Sequence, residues 1–100
     1  MFCSIEWVPD GSEILVGKHN GIIAVMDSQT GHFKKYNNPP QTSVEHGKPI
    51  KQIIVTEDSQ MFAVWDTGNA VTLFKRRPIA GDASKGLEWV VFNKIVAHEI

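Results

Sequence analysis

One cysteine, Cys3, is all the sequence offers in 100 residues, so it has no internal disulfide and fits a reducing compartment. It stands just ahead of a strand-like run and reads as a small buried hydrophobe, not a reactive thiol. No apolar run reaches the roughly 18 residues a membrane helix needs, and Met1-Phe2-Cys3-Ser4 lacks the basic-then-apolar order of a secretory leader. An excess of one charge is also missing. Ten Lys and Arg against eleven Asp and Glu leave a net charge of −1, which creates no bulk field to draw nucleic acid or an anionic membrane. Helical spacing is absent too, because apolar residues nowhere recur every 3.6 positions for three turns. A glycine-rich phosphate loop, a Gly-x-Ser-x-Gly elbow and a Cys-x-x-Cys pair are all lacking. The histidines, His19, His32, His46 and His98, are too dispersed for metal-ligand spacing, and His98-Glu99 begins a zinc-type motif without completing it. Glu57, Asp58 and Asp66 read as turn residues and not as a catalytic acid and base. The expectation is a cytoplasmic chain that is not an enzyme, with no cofactor, no metal, no nucleic acid, no membrane and no small-molecule substrate.

What is present is a pattern of short apolar runs split by turn residues. The chain overlies itself when slid by 48 residues: Ile5 falls on Ile53, Asp10 on Asp58 and Val16 on Val64. Ile14-Leu15-Val16 then meets Phe62-Ala63-Val64, and Ile23-Ala24-Val25-Met26 meets Val71-Thr72-Leu73-Phe74. In the first unit, strands are expected at Cys3 to Val8, Ile14 to Gly17, Ile22 to Met26 and Phe33 to Tyr36. They are joined by Pro9-Asp10-Gly11-Ser12, by Asn20-Gly21 and by Ser28-Gln29-Thr30-Gly31. The second unit runs through Ile50 to Thr56, Met61 to Trp65, Ala70 to Lys75 and Leu87 to Phe92, with an insertion from Arg76 to Gly86. The units are therefore placed at 1–36 and 50–92, with a connection at 37–49 and the start of a further repeat at 93–100.

Strand interiors such as Ile14-Leu15-Val16 are apolar on both faces, which requires each sheet to be covered twice. Repeats of this length made of four strands point to an all-β fold of stacked blades, two of them here plus the opening of a third. An uncovered face of about 800 Å², about 60% apolar, would forgo on the order of 12 kcal/mol. Domain stability is only about 5–15 kcal/mol, so a piece of a longer propeller is expected.

These residues resemble the WD40 repeat family. Trp7-Val8-Pro9-Asp10-Gly11 is similar to its first hairpin turn. Asn20-Gly21-Ile22-Ile23-Ala24-Val25-Met26-Asp27 is similar to its Asp-Gly-x-Val-x-Val-Trp-Asp run, and Phe74-Lys75 holds the Trp-Asp place in the second unit. The literal pair Trp65-Asp66 ends a second strand, not a third, and does not count as the family dipeptide. His46 resembles the histidine of the family's structural tetrad, and Asp66 is its expected acceptor. With Phe74 in place of tryptophan the hydrogen-bonded strut is expected to be incomplete, leaving apolar packing to hold the blades. Residues 66–74, with Glu88-Trp89 and His98, look most like ciliary and flagellar members at the base of an axonemal radial spoke.

The resemblance implies a scaffold for other proteins in a large assembly, with axonemal or radial-spoke subunits as partners. A regulatory module reading a peptide is the alternative. Two stretches are candidate partner contacts: the basic residues Lys75, Arg76, Arg77 and Lys85, and the stiff connection at Pro39 and Pro40. Trp7, Trp65 and Trp89 are expected to fill gaps between blades.

Overall fold

Short apolar runs that end in positive-φ turns have only one neighbour within reach, the run before them, and they pair with it antiparallel. The computed structural model describes residues 2–35, 40–41 and 47–96. Strands β1 (Phe2–Trp7), β2 (Glu13–Lys18) and β3 (Ile23–Asp27) form one sheet in that order. Strands β4 (Ile50–Val55), β5 (Met61–Asp66), β6 (Ala70–Pro78) and β7 (Leu87–Val96) form the second. Among the described residues there is no α-helix, only two 3-10 turns at Ile79–Gly81 and Ala83–Lys85.

The repeat is visible in the hydrogen bonding itself. Ile5 pairs with Val16 and Trp7 with Ile14; 48 positions on, Ile53 pairs with Val64 and Val55 with Phe62. Ile14 opposes Met26 as Phe62 opposes Phe74. Even the irregularity recurs, between Phe2 and Ser4 and between Ile50 and Gln52. The turns match in the same way. Gly11 (φ 79°) corresponds to Ser59 (φ 62°), and Gly21 (φ 83°) to Asn69 (φ 62°). An Asx turn shapes the first hairpin of each sheet, where the Asp10 and Asp58 carboxylates accept the N–H of Ser12 and Gln60 at 2.9 and 3.0 Å.

Four expectations are corrected. Among the described residues the first sheet has three strands, and of the fourth expected over Phe33 to Tyr36 only Phe33 makes a bridge, with Tyr36 outside those residues. Among the described residues the sheet's outer position makes two bridges to the β3 side, Met26 with Phe33 and Ile22 with Gln41. Pro40, which has no N–H, serves only as acceptor for the Ile23 N–H at 2.8 Å. The insertion is also shorter than read, because Arg76, Arg77 and Pro78 continue β6 opposite Trp89, Glu88 and Leu87. Residues 93–96 belong to β7, where Asn93 and Ile95 pair with Leu73 and Val71, and the remainder of the expected start of a further repeat, 97–100, lies outside the described residues. Of the three tryptophans only Trp89 fills the gap between sheets, while Trp7 and Trp65 are 53% and 43% exposed. Tyr36, Pro39, His46 and His98 lie outside the described residues.

One core lies between the two sheets. Leu15, Ile23 and Val25 of the first meet Ile53, Phe62 and Val64 of the second, all buried. Phe62 stacks on Phe74 with centroids 4.6 Å apart and meets the Trp89 ring edge-on at 4.8 Å. Parity along each strand explains which side chains enter. On β5, Phe62 and Val64 are buried while Met61 and Trp65 are exposed, as the two-residue repeat of a strand requires.

The inner strands approach closely at Gly17, where a Cβ would lie 2.7 Å from Ile50 Cγ2 and 2.8 Å from its Cβ. Gly17→Ala is expected to destabilise the chain by about 1–3 kcal/mol through overpacking. Adding Ile50→Val should return part of that loss. Urea titration of the two variants checks both steps, and equal midpoints for Gly17→Ala and wild type would contradict the contact.

Candidate functional site

The turn Pro9–Ser12 delivers Glu13 to the first position of β2 with its side chain facing the second sheet, and it is only 2% exposed. A carboxylate so placed needs donors, and it has three. Lys34 Nζ donates to Oε2 at 2.6 Å, while Arg76 Nη2 and Trp89 Nε1 donate to Oε1 at 2.7 and 3.1 Å. Arg76 Nη1 also donates to Asp10 Oδ2 at 2.8 Å, and Nη2 reaches Ser12 Oγ at 3.2 Å. The guanidinium carbon stands 4.6 Å from the Trp89 ring centroid, a cation–π contact. Beside this cluster the Asp10 N–H donates to Ser59 Oγ at 2.9 Å, again from one sheet to the other. The result is a polar clamp closing one end of an otherwise apolar junction.

Its electrostatics follow from the geometry. Burial pushes the Glu13 carboxyl up, but the donors Lys34, Arg76 and Trp89 outweigh it and hold its pKa below the usual value. Asp10 is lowered to about 2, first by the Ser12 hydroxyl and then by the Arg76 guanidinium. Burial would weaken the Arg76 proton, yet Asp10 and Glu13 raise its pKa above the ordinary range. Arg76 Nε and Thr72 Oγ1 are buried with no hydrogen-bond partner among the described residues.

The basic run therefore splits by face. Arg76 shares the parity of Thr72 and Phe74 and turns inward, with a side chain only 6% exposed. It serves the blade junction and is not available to a partner surface. Lys75 is exposed and lies 6.0 Å from the Phe92 ring centroid; Arg77 is exposed and paired with Glu88 at 3.0 Å; Lys85 is exposed at the end of the second 3-10 turn. Pro40 is buried, and Pro39 lies outside the described residues.

The repeat-motif residues do backbone work. Asn20 Oδ1 accepts the Ile22 N–H at 3.2 Å, and Asp27 Oδ1 accepts those of Gln29 and Thr30. Buried Asp66 accepts the Gly68 and Ala70 N–H at 2.8 and 3.2 Å, while His46, its expected donor, is outside the described residues. Trp65-Asp66 does end the second strand of its sheet, and Phe74 at the family tryptophan position is fully buried, while Met26 is half-buried. Glu13 was not singled out from sequence. The signal available was its parity with Leu15, which puts a carboxylate on an apolar face and calls for a cation opposite. Among the described residues no three His, Cys, Asp or Glu side chains come together in a metal-binding group.

No protein-family model matches this sequence, and no curated protein matches it. Among solved structures the chain is similar to the β-propeller domain of Cps50 (Swd1) from Myceliophteria thermophila, with a TM-score of 0.74 at 16% identity. The likeness covers 97% of this chain and 28% of that one. At such identity it shows the fold: two blades of β-propeller type.

Removing the cation should expose how much the clamp carries. Arg76→Met leaves Glu13 short of a donor inside the junction and is expected to cost about 3–5 kcal/mol, with Arg76→Lys restoring part of it. The wild-type chain should also lose stability in acid. Asp10 and Glu13 have depressed folded-state pKa values, so their contribution is complete above their unfolded values near 4 and is lost as pH falls through the folded ones, about 2 for Asp10 and below the usual carboxylate value for Glu13. In Arg76→Met that acid limb should be shallower. Denaturant titrations at neutral pH and through the acid range test both; a variant whose curve follows wild type at every pH would refute the clamp.

Proposed function

We propose that the chain is a non-catalytic protein-interaction scaffold of WD40 type. The observation that carries this reading is the disposition of apolar surface. Each sheet turns one face into the shared core and the other outward, with Ile5 and Trp7 exposed on the first and Ile54, Trp65 and Ile95 on the second. Large exposed apolar patches on a rigid β framework mark sites of protein association. The likeness to a β-propeller domain over nearly the whole chain supports the same reading. Polar contact with a partner is assigned to the hairpin tip, where Arg77 and Lys85 stand exposed beyond the end of β5. An acidic protein surface is the complementary ligand.

The finer assignment is to the cytoplasm and the ciliary axoneme, with radial-spoke subunits as partners. It rests on the resemblance carried by residues 66–74, Glu88-Trp89 and His98.

Affinity capture of the full chain from ciliated cells should recover stable axonemal partners. With one of them purified, Arg77→Glu with Lys85→Glu should weaken binding on the order of tenfold, and more at low salt than at high. Recovery from the soluble cytoplasm alone would remove the axonemal assignment. A peptide array giving one sharply preferred motif would move the chain to the recognition class. Catalysis that dies with Asp66→Asn would overturn the scaffold altogether.

A further inference from the structure

Strand β7 ends the second sheet, with β6 on one side and no strand on the other among the described residues. Two hydrogen bonds fix which of its backbone groups point to that open side. The Ile79 N–H donates to Gly86 O at 3.0 Å, so Gly86 and, at alternate positions beyond it, Glu88 and Val90 turn their N–H and C=O toward β6. The Arg76 N–H donates to Gln60 O at 2.9 Å, which turns Arg76 toward β5 and leaves Trp89, directly opposite it, facing away. Leu87 and Val91 share the phase of Trp89. Their N–H and C=O groups therefore line the open edge, and among the described residues no backbone hydrogen bond from another segment reaches them. Both residues are exposed, at 43% and 49%.

Sheets ordinarily blunt such an edge with lysine, proline, a bulge or a covering segment. The first sheet does so: the Ile23 N–H donates to Pro40 O at 2.8 Å and the Lys34 N–H to Val25 O at 2.7 Å, laying chain along the outside of β3. Over residues 87–91 there is no lysine and no proline, and the one charge, Glu88, is bound by Arg77 at 3.0 Å. A bulge comes only at the end of this stretch. Leu73 opposes Asn93 and Phe74 opposes Val91, so Phe92 is the extra residue and regular pairing stops there. On the outward face Lys75 stands opposite Val90, and its ammonium reaches over β7 to 6.0 Å from the Phe92 ring centroid. A positive charge thus sits beside an edge whose alternating donors and acceptors match an extended backbone.

We propose that residues 87–91 are a docking edge for an extended segment of a partner protein, added antiparallel as a further strand of the second sheet. Directly opposed residues share a face. The segment's residues opposite Leu87, Trp89 and Val91 are apolar, because they extend the exposed Leu87 and Val91 surface. Its residue opposite Val90 is acidic and meets Lys75. The one opposite Glu88 is uncharged, since Arg77 already neutralises that carboxylate. Main-chain hydrogen bonds supply the affinity and the single carboxylate supplies the register. This deepens the scaffold reading, on which it rests, by giving the partner's segment its pattern.

The probe is the acetylated, amidated peptide Val-Glu-Val-Thr-Val, titrated into the full chain to about 1 mM. Amide exchange at Leu87 and Val91 should slow as peptide is added. The same residues in the order Val-Thr-Val-Glu-Val, which sets the carboxylate against Glu88, should bind at least about fivefold more weakly. N-methylation at the third and fifth peptide positions, whose N–H groups meet the edge, should weaken binding at least about tenfold, whereas methylation at the second and fourth should not. Lys75→Glu should reverse the preference between this peptide and Val-Lys-Val-Thr-Val. Circular dichroism checks that the variant is folded, and the peptide comparisons decide the matter on the wild-type chain if it is not. Absence of protection at about 1 mM overturns the proposal, as do equal binding of the two orders or equal effects of the two methylation patterns. Protection that rises with protein concentration alone also overturns it, since that assigns the edge to a second copy. None of these outcomes touches the scaffold reading, which falls to catalysis by the chain and not to a silent peptide.

Discussion

A β-sheet that is apolar on both sides must be covered twice, and nearly everything in this chain follows from that constraint. The junction between the two sheets covers one side of each. Its centre is aliphatic and aromatic: Leu15, Ile23 and Val25 against Ile53, Phe62, Val64 and Phe74, with Trp89 closing the edge. Surfaces of this kind are energetically strong but directionally weak, because an apolar face gains nearly as much if it slides by one strand spacing. The Glu13–Arg76 clamp removes that freedom. Burying two charges costs much of what their attraction returns, so the clamp is poor evidence for net stability. Its consequence is registry: any displacement leaves a carboxylate that is 2% exposed without its cation.

The clamp also explains how the sheets hold together where the family strut was expected to be incomplete. In the second sheet the position expected to hold tryptophan is Phe74, which offers no N–H. The indole N–H that the junction does use comes from Trp89 on β7 and reaches the other blade at Glu13 Oε1. Asp66 Oδ1 accepts from the backbone of its own turn, as Asn20 Oδ1 does in the first sheet. The polar contacts of this junction therefore run from one sheet to the other. The long β6–β7 hairpin makes this possible, since Arg76 and Trp89 face each other beyond the point where β5 has ended.

Much of the fold was legible because turns are local. Pro9-Asp10-Gly11, Asn20-Gly21 and Thr67-Gly68-Asn69 each dictate a chain reversal through positive φ or a side-chain cap, and the strands fall between them. The strand ends were harder to read. β6 runs on through Arg76-Arg77-Pro78 against local preference, held by its pairing with β7, and no short window of sequence records that partner. The outer segment of the first sheet was harder still: Phe33 to Tyr36 has the composition of a strand, but among the described residues only Phe33 makes a bridge, to Met26. In the junction, Arg76 looked like one of three surface cations until strand parity separated it from Lys75 and Arg77. Glu13 carries no motif at all. It becomes visible only when the face it shares with Leu15 is known to be covered.

The low identity between the repeats has the same origin. Ile5/Ile53, Asp10/Asp58 and Val16/Val64 are the identical pairs of the aligned strands, and they fix a turn and the centre of one face. Positions that confront a neighbour differ wherever the neighbour differs. Glu13 is buried against a cation of the facing sheet, while Met61 is exposed opposite Lys75 of its own sheet; Gly17 must admit the Ile50 side chain, while Trp65 in the same register is exposed with the Lys51 ammonium 4.9 Å from its ring centroid. Backbone hydrogen bonding repeats position for position across these changes. A blade is therefore specified by its turns and its parity, and the letters on each face are free to follow whatever surface that face must meet.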